Sequence, residues 1–280
     1  TGQVPAVDQV LGDPEADDDP SRQVAHGVGM DRVQHALAGC DLQGGQGVVP
    51  HHTALNLGGA AFTVEAWVRP GGSPTAEGVQ VIANKRTDAV SKDEWALGVY
   101  GPAGLGVPTP NTFFFNLGEA EVQAPVTAIW THVAVTWSAG QLTLWVNGVL
   151  KDEAPLAATS LANTGSLSIG RDVLLPRYYF DGPIASLRIS KSARYGAPFT
   201  PATAWSTDAD TVGLWTYDSA SADLMVDASG NGHDAVLVDA AMDPACPAEV
   251  PGAECGDAQL AAWEPCDDGN LLEGDGCSTS

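Results

Sequence analysis

Two stretches of this sequence carry side chains that could bind a ligand. The first is DASGNGHD, residues 227–234, where Asp227, Asn231 and Asp234 supply hard oxygen donors. The intervening glycines let backbone carbonyls turn inward, and calcium prefers carboxylate, amide and carbonyl oxygens on a tight turn. The stretch therefore predicts a calcium site. An Asx turn held by its own side chains is the alternative for the same residues.

The second stretch is DVLLPRYYFDG, residues 172–182, which joins two apolar runs. Arg177, Tyr178 and Tyr179 within it, together with Trp205 further along, are the candidate ligand-binding residues. Exposed aromatic rings provide flat stacking surfaces with a polar tip, which suits sugar rings. This predicts a carbohydrate site, and packing over a sheet edge is the alternative for the same side chains.

The sequence does not predict a catalytic centre. Glycoside hydrolysis needs two carboxylates facing one cleft, and Glu65 has Trp67 and Arg69 at the next two positions of its own strand face. The patterns HExxH and GxSxG, which indicate zinc proteases and serine hydrolases, do not occur. We therefore expect no catalytic residues.

The histidines favour structural roles rather than ligand roles. His51 and His52 are expected to be exposed loop residues. For His132 we expect a hydrogen bond at the edge of the core, and for His233 we expect a role mainly through its backbone.

Composition narrows the class of protein and its partners. The chain has 280 residues, of which 44% are hydrophobic, so one large or two modest globular domains can form. It has 12 basic and 35 acidic residues and a formal net charge of −23, which makes nucleic acid a poor partner. No run approaches the ~18 apolar residues of a membrane span, so membrane insertion is not expected.

Alternating apolar and polar residues dominate the chain from about residue 34 to residue 238. The period of two predicts half-buried strands, and it is clearest at 62–68, 131–137 and 141–146. Further strands are predicted at 79–84, 94–99, 112–116, 166–170, 184–190, 212–216 and 233–238. Asn147 and Gly148 between two runs indicate a tight hairpin turn, because both central residues need positive φ. With no helix of ordinary length, these runs predict an all-β, two-sheet antiparallel jelly-roll sandwich.

Five motifs carry a family resemblance. FTVEAWVRP, WTHVAVTWSAGQLTLWVNGV, LSIGRD, FDGPIASLRISKSARY and DASGNGHDAVL occur in this order within roughly residues 34–238. Together they closely resemble the laminin-G-like, concanavalin A-like jelly-roll family. The resemblance implies a two-sheet sandwich with binding loops at one rim. The block at 214–233 often opens such domains but closes this one, so we expect its strand to reach the same place from the other end of the chain.

The same resemblance extends the calcium prediction. In many relatives the glycine-rich turn binds calcium together with an acid from the strand after the FDG block. Here Ala185 and Ser186 stand at that place, and Asp181 of the FDG block is the substitute. The implied calcium ligands are Asp227, Asn231, Asp234 and Asp181.

Four of the five cysteines fall in the last stretch of the chain, which lacks the CxxC pairs of a zinc ribbon. CGDAQLAAWEPCDDGNLLEGDGC, residues 255–277, resembles the cysteine-rich repeat common in secreted myxobacterial proteins. That repeat ends in a further cysteine, so the resemblance implies a truncated repeat, a longer native protein and an oxidising compartment.

The remaining cysteine lies at the other end of the predicted jelly roll. Cys40 follows HALAG, interpreted as the first strand, and Cys246 follows the last strand. Because the first and last strands of a jelly roll are usually neighbours, we predict a Cys40–Cys246 disulfide. The pairing of Cys255, Cys266 and Cys277 stays open.

These observations divide the chain into three segments: an acidic, proline-containing leader at 1–24, a jelly roll at 25–245 and a truncated cysteine-rich repeat at 246–280. They predict a secreted or cell-surface, non-catalytic recognition or adhesion module that binds extracellular glycan or protein. The alternatives are an accessory domain of a larger secreted hydrolase or protease, and a structural spacer of a surface protein.

Overall fold

The computed structural model describes residues 45–71, 78–87, 95–102, 109–157, 163–220 and 223–240. These residues form fourteen β-strands and one short 3-10 turn at Thr53–Leu55. The strands are β1 (Gln46–Val49), β2 (Ala61–Val68), β3 (Val79–Lys85), β4 (Trp95–Tyr100), β5 (Thr112–Leu117), β6 (Ala120–Pro125), β7 (Thr131–Ser138), β8 (Gln141–Val146), β9 (Val149–Pro155), β10 (Leu167–Ile169), β11 (Ile184–Ser190), β12 (Thr211–Ala220), β13 (Leu224–Asp227) and β14 (Ala235–Val238).

The described strands form one continuous antiparallel ladder. Its order is β6-β5-β4-β3-β10-β1-β14-β13-β12-β11-β2-β7-β8-β9. The ladder folds over on itself, since the rings of Phe62 on β2 and Phe115 on β5 lie 6.5 Å apart although eight strands separate β2 from β5 in the order. The outermost strands also meet, because the Gln123 amide of β6 donates a 2.8 Å hydrogen bond to Asp152 Oδ2 of β9. The all-β antiparallel prediction is confirmed.

The core lies between the two halves of the folded ladder, here called its arms. The inward-facing apolar side chains of the strands fill it. On β2, Val64, Ala66 and Val68 are completely inaccessible to solvent. Phe62 stacks on Trp137 at 5.8 Å, and Trp95 and Trp215 are each only 1% exposed. Each large side chain buried in this way contributes about 1.5–3 kcal/mol relative to an exposed one. The continuous apolar interior therefore holds the two arms together.

The predicted strands at 62–68, 79–84, 94–99, 112–116, 131–137, 141–146, 166–170, 184–190 and 233–238 are strands in the structure, with ends that differ by only a few residues, and the run at 212–216 extends to Thr211–Ala220. HALAG, interpreted as the first strand, lies outside the described residues. The displaced block at 214–233 supplies part of β12 and all of β13, which join the same ladder between β11 and β14. Sequence patterning missed β1, β6 and β13. Two of these strands have only four residues, and the third ends in Pro125, so none gives a long alternating run.

The first and last of the described strands are neighbours. Gln46 of β1 pairs with Val238 of β14, and a Cβ atom added to Gly45 would lie 2.5 Å from the Ala240 Cα. All five cysteines, the predicted leader and the predicted repeat lie outside the described residues. The Cys40–Cys246 bridge and the segment boundaries therefore stay predictions. None of the helices in the described ranges has the length and apolar character that a membrane crossing requires.

Two hairpin turns on neighbouring strands have the same backbone form. Asn147 and Gly148 join β8 to β9 with φ of 49° and 74°, which confirms the predicted tight turn. Ala139 and Gly140 join β7 to β8 with φ of 50° and 82°. An alanine with positive φ brings its Cβ close to a carbonyl oxygen, whereas asparagine tolerates this conformation.

Replacing Ala139 by Asn should therefore stabilise the protein by roughly 0.5–1 kcal/mol, since it removes strain at an exposed turn. Denaturant unfolding of the variant and the native chain measures the difference. Ala204→Asn is the matched control, because Ala204 is exposed but has no positive φ, and it should give no gain. Equal effects at the two positions would contradict the strain argument.

Candidate functional site

Strand register defines two opposite rims of the sandwich. Across β3, β10, β1 and β14 the ladder aligns Ala83, Ile169, Gly47 and Leu237 in one row. Beyond this row in one direction lie Gln80, Gly170 and Asp239, and we call this end the loop rim. In the other direction lie Lys85, His51 and His233, and we call this end the histidine rim. Every predicted ligand-binding residue except Trp205 belongs to one of these two rims.

A braced loop leaves the loop rim after β10. Residues 171–182, called the rim loop, return to the sheet where Tyr179 bridges both Val81 and Arg171. Asp172, which is 2% exposed, organises the loop base, because its Oδ1 accepts hydrogen bonds from the Leu174 and Leu175 amides at 2.8 and 2.9 Å. Its Oδ2 accepts a 2.9 Å hydrogen bond from Arg86. The loop is therefore fixed from both ends.

The tip of the rim loop presents Arg177 and Tyr178 together. The exposed Arg177 guanidinium lies 4.7 Å from the centre of the half-buried Tyr178 ring and donates a 3.2 Å hydrogen bond to its hydroxyl. Tyr179 is half-buried beside them, and Leu174 on the same loop is 39% exposed. Three of the four predicted carbohydrate-binding residues are thus brought together on one rigid loop.

Trp205, the fourth predicted residue, lies elsewhere. It belongs to residues 191–210, here called the strap, which crosses the outer face of β2, β7 and β11. Its ring lies 4.8 Å below the Arg188 guanidinium carbon and 5.8 Å from the His132 ring. Trp205 therefore covers a charged cluster away from the rim loop, and its role in ligand binding stays a prediction.

The strap is anchored to the strands that it covers. The Phe199 amide bonds to the Gly148 carbonyl at 3.0 Å, and a Cβ on Gly148 would lie only 1.7 Å from the Phe199 carbonyl oxygen. The Trp67 indole donates a 2.9 Å hydrogen bond to the Ala202 carbonyl. The rings of Tyr195 and Phe199 stack at 3.6 Å and close over the sheet face.

Beneath the strap, Glu65 is completely buried and is surrounded by donors. His132 Nε2 lies 3.0 Å from Glu65 Oε2, and the Tyr195 hydroxyl donates to the same oxygen at 2.7 Å. Arg188 Nε donates a 2.7 Å hydrogen bond to Glu65 Oε1, and Arg188 Nη2 lies 2.7 Å from the same oxygen. The prediction of a hydrogen bond for His132 is confirmed, although the residue is fully buried rather than at an edge.

These contacts determine the charge of Glu65. Burial on its own raises the pKa of this carboxyl, but the hydrogen bond from His132 and the positive charge of Arg188 outweigh it and hold the pKa below its ordinary value. Burial and the Glu65 charge together raise the pKa of Tyr195. Glu65 is therefore an ionised structural anion that solvent and substrate do not reach.

At the histidine rim, Asp227 uses all of its acceptor capacity inside the protein. Oδ1 accepts hydrogen bonds from the Leu214 and Ser229 amides at 3.0 and 2.9 Å. Oδ2 accepts from the Ser229 hydroxyl at 2.8 Å and from the His233 amide at 3.1 Å. Burial raises the pKa of Asp227, but these hydrogen bonds exceed that effect and lower it overall.

The other predicted calcium ligands do not complete a cation site in the structure. Asn231 donates from Nδ2 to the Thr211 and Val212 carbonyls, each at 3.0 Å, and Asp234 accepts the Asp227 amide at 2.8 Å. Asp181 belongs to the loop rim, where its amide donates to Gln80. In the described ranges, no group of three or more His, Cys, Asp or Glu side chains is placed to hold a metal ion. The arrangement is that of an Asx turn, and calcium stays a prediction.

Lys85 at the histidine rim is a completely buried cation held by neutral groups. Its Nζ donates a 2.9 Å hydrogen bond to the Asn163 carbonyl and lies 3.2 Å from His51 Nδ1. Burial lowers the pKa of Lys85 to about 8. Sequence reasoning missed this residue, because nothing in the local pattern NKR distinguishes a buried lysine from an exposed one.

The family assignment rests on sequence. A family model, Laminin_G_3, described as Concanavalin A-like lectin/glucanases superfamily, matches residues 43–197, which is more than half of the chain. The chain therefore belongs to this family. The match ends before β12, so the predicted span of 34–238 is supported over 43–197. No curated protein matches the chain.

Several solved structures resemble the protein at low sequence identity. A candidate carbohydrate binding protein from Bacteroides ovatus has a TM-score of 0.49 and 17% identity, and the match covers 72% of this chain and 58% of that one. The CBM40 domain of a Ruminococcus gnavus sialidase, bound to α2,3-sialyllactose, has a TM-score of 0.41 and 12% identity, covering 54% and 88%. Domain 4 of an extracellular arabinanase from Geobacillus stearothermophilus, with arabinotriose, has a TM-score of 0.38 and 19% identity, covering 52% and 67%.

Glu65→Gln should destabilise the protein by about 3–5 kcal/mol, because it leaves the Arg188 charge buried without its counter-ion. Denaturant unfolding measures the loss. Glu153→Gln on the exposed strand β9 is the matched control and should change stability by less than about 0.5 kcal/mol. The double variant Glu65→Leu/Arg188→Met should lose less than the sum of its single changes. A loss for Glu65→Gln as small as the control would refute the role of this anion.

Lys85 should make the protein more stable as the pH rises from about 8 to about 10.5. In this window the unfolded chain still holds the lysine proton while the folded chain has released it, so stability increases with pH, by up to roughly 3 kcal/mol. Subtracting the unfolding free energies of Lys85→Met from those of the native chain at each pH isolates this effect. Parallel curves for the two proteins would show that Lys85 does not titrate in this range.

Proposed function

We propose that the protein is a non-catalytic recognition module that binds glycan through the rim loop. The observation that carries the proposal is the pairing of the exposed Arg177 with the half-buried Tyr178 at the tip of a loop braced by Asp172 and Tyr179. A ring and a guanidinium held in fixed relative positions lose little conformational entropy on binding. The family, described as one of lectins and glucanases, adds support for sugar recognition.

The chemistry at the tip suits a sugar. The Tyr178 ring offers an apolar face for the C–H side of a pyranose, and its hydroxyl can exchange hydrogen bonds with ring substituents. Arg177 supplies N–H donors that match paired hydroxyl or carboxylate oxygens. Leu174, 39% exposed on the same loop, extends the apolar contact. A small apolar surface with a few directed polar groups is what orients a ligand.

The state of Glu65 supports a non-catalytic module. A glycosidase needs a pair of carboxylates open to one cleft, whereas Glu65 is 0% exposed, pairs with Arg188 and is hydrogen-bonded to His132 beneath the strap. We further propose that the module acts outside the cell, as a secreted or surface-attached adhesion module. The cysteine-rich stretch beyond residue 245 and the net charge of −23 favour that setting.

Two other roles remain as alternatives: an accessory domain of a larger secreted hydrolase or protease, and a structural spacer. The first shares the glycan-binding rim loop and differs only in what else the parent protein carries. A spacer would need no ligand at the rim, so glycan binding that depends on Arg177 and Tyr178 separates it from the proposed function.

Calcium is retained as a proposal for the 227–234 turn. An ion there would have to replace protein donors that Asp227 now accepts. If the turn binds calcium, the free energy of unfolding should be higher in excess calcium than in EGTA, by about 2.7 kcal/mol at a hundredfold excess over Kd. The unfolding temperature should rise accordingly. Equal unfolding temperatures would assign the turn entirely to its own hydrogen bonds.

The glycan proposal predicts that a glycan array will bind the isolated chain and that Tyr178→Ala will weaken the strongest ligand at least about tenfold, equivalent to 1.4 kcal/mol. Arg177→Ala should also weaken it, through the loss of its charge and donors. Lys151→Ala is the charge-matched control, because Lys151 is exposed on β9, and it should bind like the native chain. Binding that survives both rim-loop changes would place the site elsewhere, and an array without ligands would favour the spacer.

A further inference from the structure

We propose that His52 and His233 form a binding site for a transition-metal ion of the zinc, copper or nickel type. His52 immediately precedes the Thr53–Leu55 turn and His233 lies just before β14. The β1–β14 ladder, in which Val48 pairs with Val236, brings these two segments side by side at the histidine rim. The centres of the two imidazole rings are 4.7 Å apart and the rings are tilted by 48°.

The hydrogen bonding of His233 leaves one ring nitrogen ready to coordinate. Its Nδ1 lies 3.0 Å from the Val212 carbonyl oxygen, which can only accept, so Nδ1 carries a proton. In the neutral ring the lone pair is then on Nε2, and this atom is buried and has no hydrogen-bond partner. A buried acceptor left unsatisfied destabilises a fold. A backbone carbonyl on one ring nitrogen is also the contact that orients metal-binding histidines.

His52 supplies the solvent-facing side of the pair. It is exposed, and its Nδ1 accepts a 3.2 Å hydrogen bond from the Ala54 amide. In the neutral ring the proton is therefore on Nε2. Coordination through Nε2 moves this proton to Nδ1 and gives up the Ala54 bond, which costs little because water can replace the acceptor at an exposed amide. An entering ion thus meets the exposed imidazole of His52 first and the buried imidazole of His233 second.

A further orphaned acceptor lies on the same short turn. Asn56, which ends the turn that His52 begins, has its Oδ1 buried without a hydrogen-bond partner. Two buried acceptor atoms near this turn, His233 Nε2 and Asn56 Oδ1, thus lack a hydrogen-bond donor. A cation or a water molecule satisfies such groups, whereas an anion does not.

The ligand type selects the metal. Imidazole nitrogen suits zinc, copper and nickel, whereas calcium and magnesium require oxygen ligands. The net charge of −23 raises the local concentration of any cation. With two imidazoles and no third His, Cys, Asp or Glu completing a cluster among the described residues, water fills the remaining positions. The site is therefore an open one, accessible from the rim.

Isothermal titration of the full chain with zinc, nickel and copper chlorides tests the proposal, with calcium and magnesium chlorides as comparison. We expect saturable binding of the transition metals and none of comparable strength by the alkaline-earth ions at these residues. His52→Ala should weaken transition-metal binding at least about tenfold, as the loss of one of two ligands requires. Because His52 is exposed, the unfolding temperature of this variant without metal should match that of the native chain.

His51→Ala is the matched control, since His51 is the adjacent exposed imidazole and faces Lys85 rather than His233. It should retain native metal affinity. Electron paramagnetic resonance of the copper complex should show two coordinated imidazole nitrogens in the native chain and one in His52→Ala. The proposal is overturned if no transition metal binds, if His52→Ala binds as tightly as the native chain, or if His51→Ala loses as much affinity as His52→Ala.

Discussion

One carboxylate, that of Glu65, imposes the arrangement of one whole face of the sandwich. A charge with no solvent exposure is tolerated only where opposite charges and hydrogen bonds replace its hydration. Glu65 obtains these from three directions: His132 on β7, Arg188 on β11 and Tyr195 in the strap. The strap is therefore more than a connection between β11 and β12. It supplies donors without which the outer faces of β2 and β7 would contain an uncompensated anion.

Closing this face has consequences for where a ligand can bind. The strap and its aromatic side chains bury the outer surface of β2, β7 and β11, and the interior between the two arms is filled by apolar side chains. Within the described residues, the face under the strap is closed to a ligand, and the two candidate sites lie at the ends of strands. At the loop rim a braced loop carries Arg177 and Tyr178, and at the histidine rim two imidazoles meet beside the 227–234 turn. The strand register thus determines which residues lie close enough together to contact one ligand.

Local patterning predicted the strands well and predicted the sites only in part. Period-two alternation is a property of neighbouring residues, so β2, β7 and β8 were evident, while β1 and β13 are too short to show it. The Arg177–Tyr178 pair was also evident, because its members are adjacent in the chain. The surroundings of Trp205 were not evident, because its partners Arg188 and His132 are remote in sequence and come together only through strand order. No local signal distinguishes a tryptophan that covers an ion pair from one that contacts a ligand.

The acidic side chains show why oxygen-rich turns are ambiguous in a sequence of this kind. Asp172 accepts two loop amides and Arg86, and Asp227 accepts three donors of its own turn and the Leu214 amide of β12. Asp208 accepts the amides of Asp210 and Thr211 together with two contacts from Arg194. In each case a carboxylate satisfies backbone N–H groups that a tight turn leaves exposed, which is the same need that an aspartate meets at a helix N-terminus. Asp227, whose four contacts use both oxygens twice, would have to give up one of them to bind a cation. Among the described residues, the buried acceptors without a partner at the histidine rim include His233 Nε2, Asn56 Oδ1 and Asn84 Oδ1. The imidazole nitrogen of His233 lies beside His52, which is why the metal chemistry that we infer there is nitrogen-based.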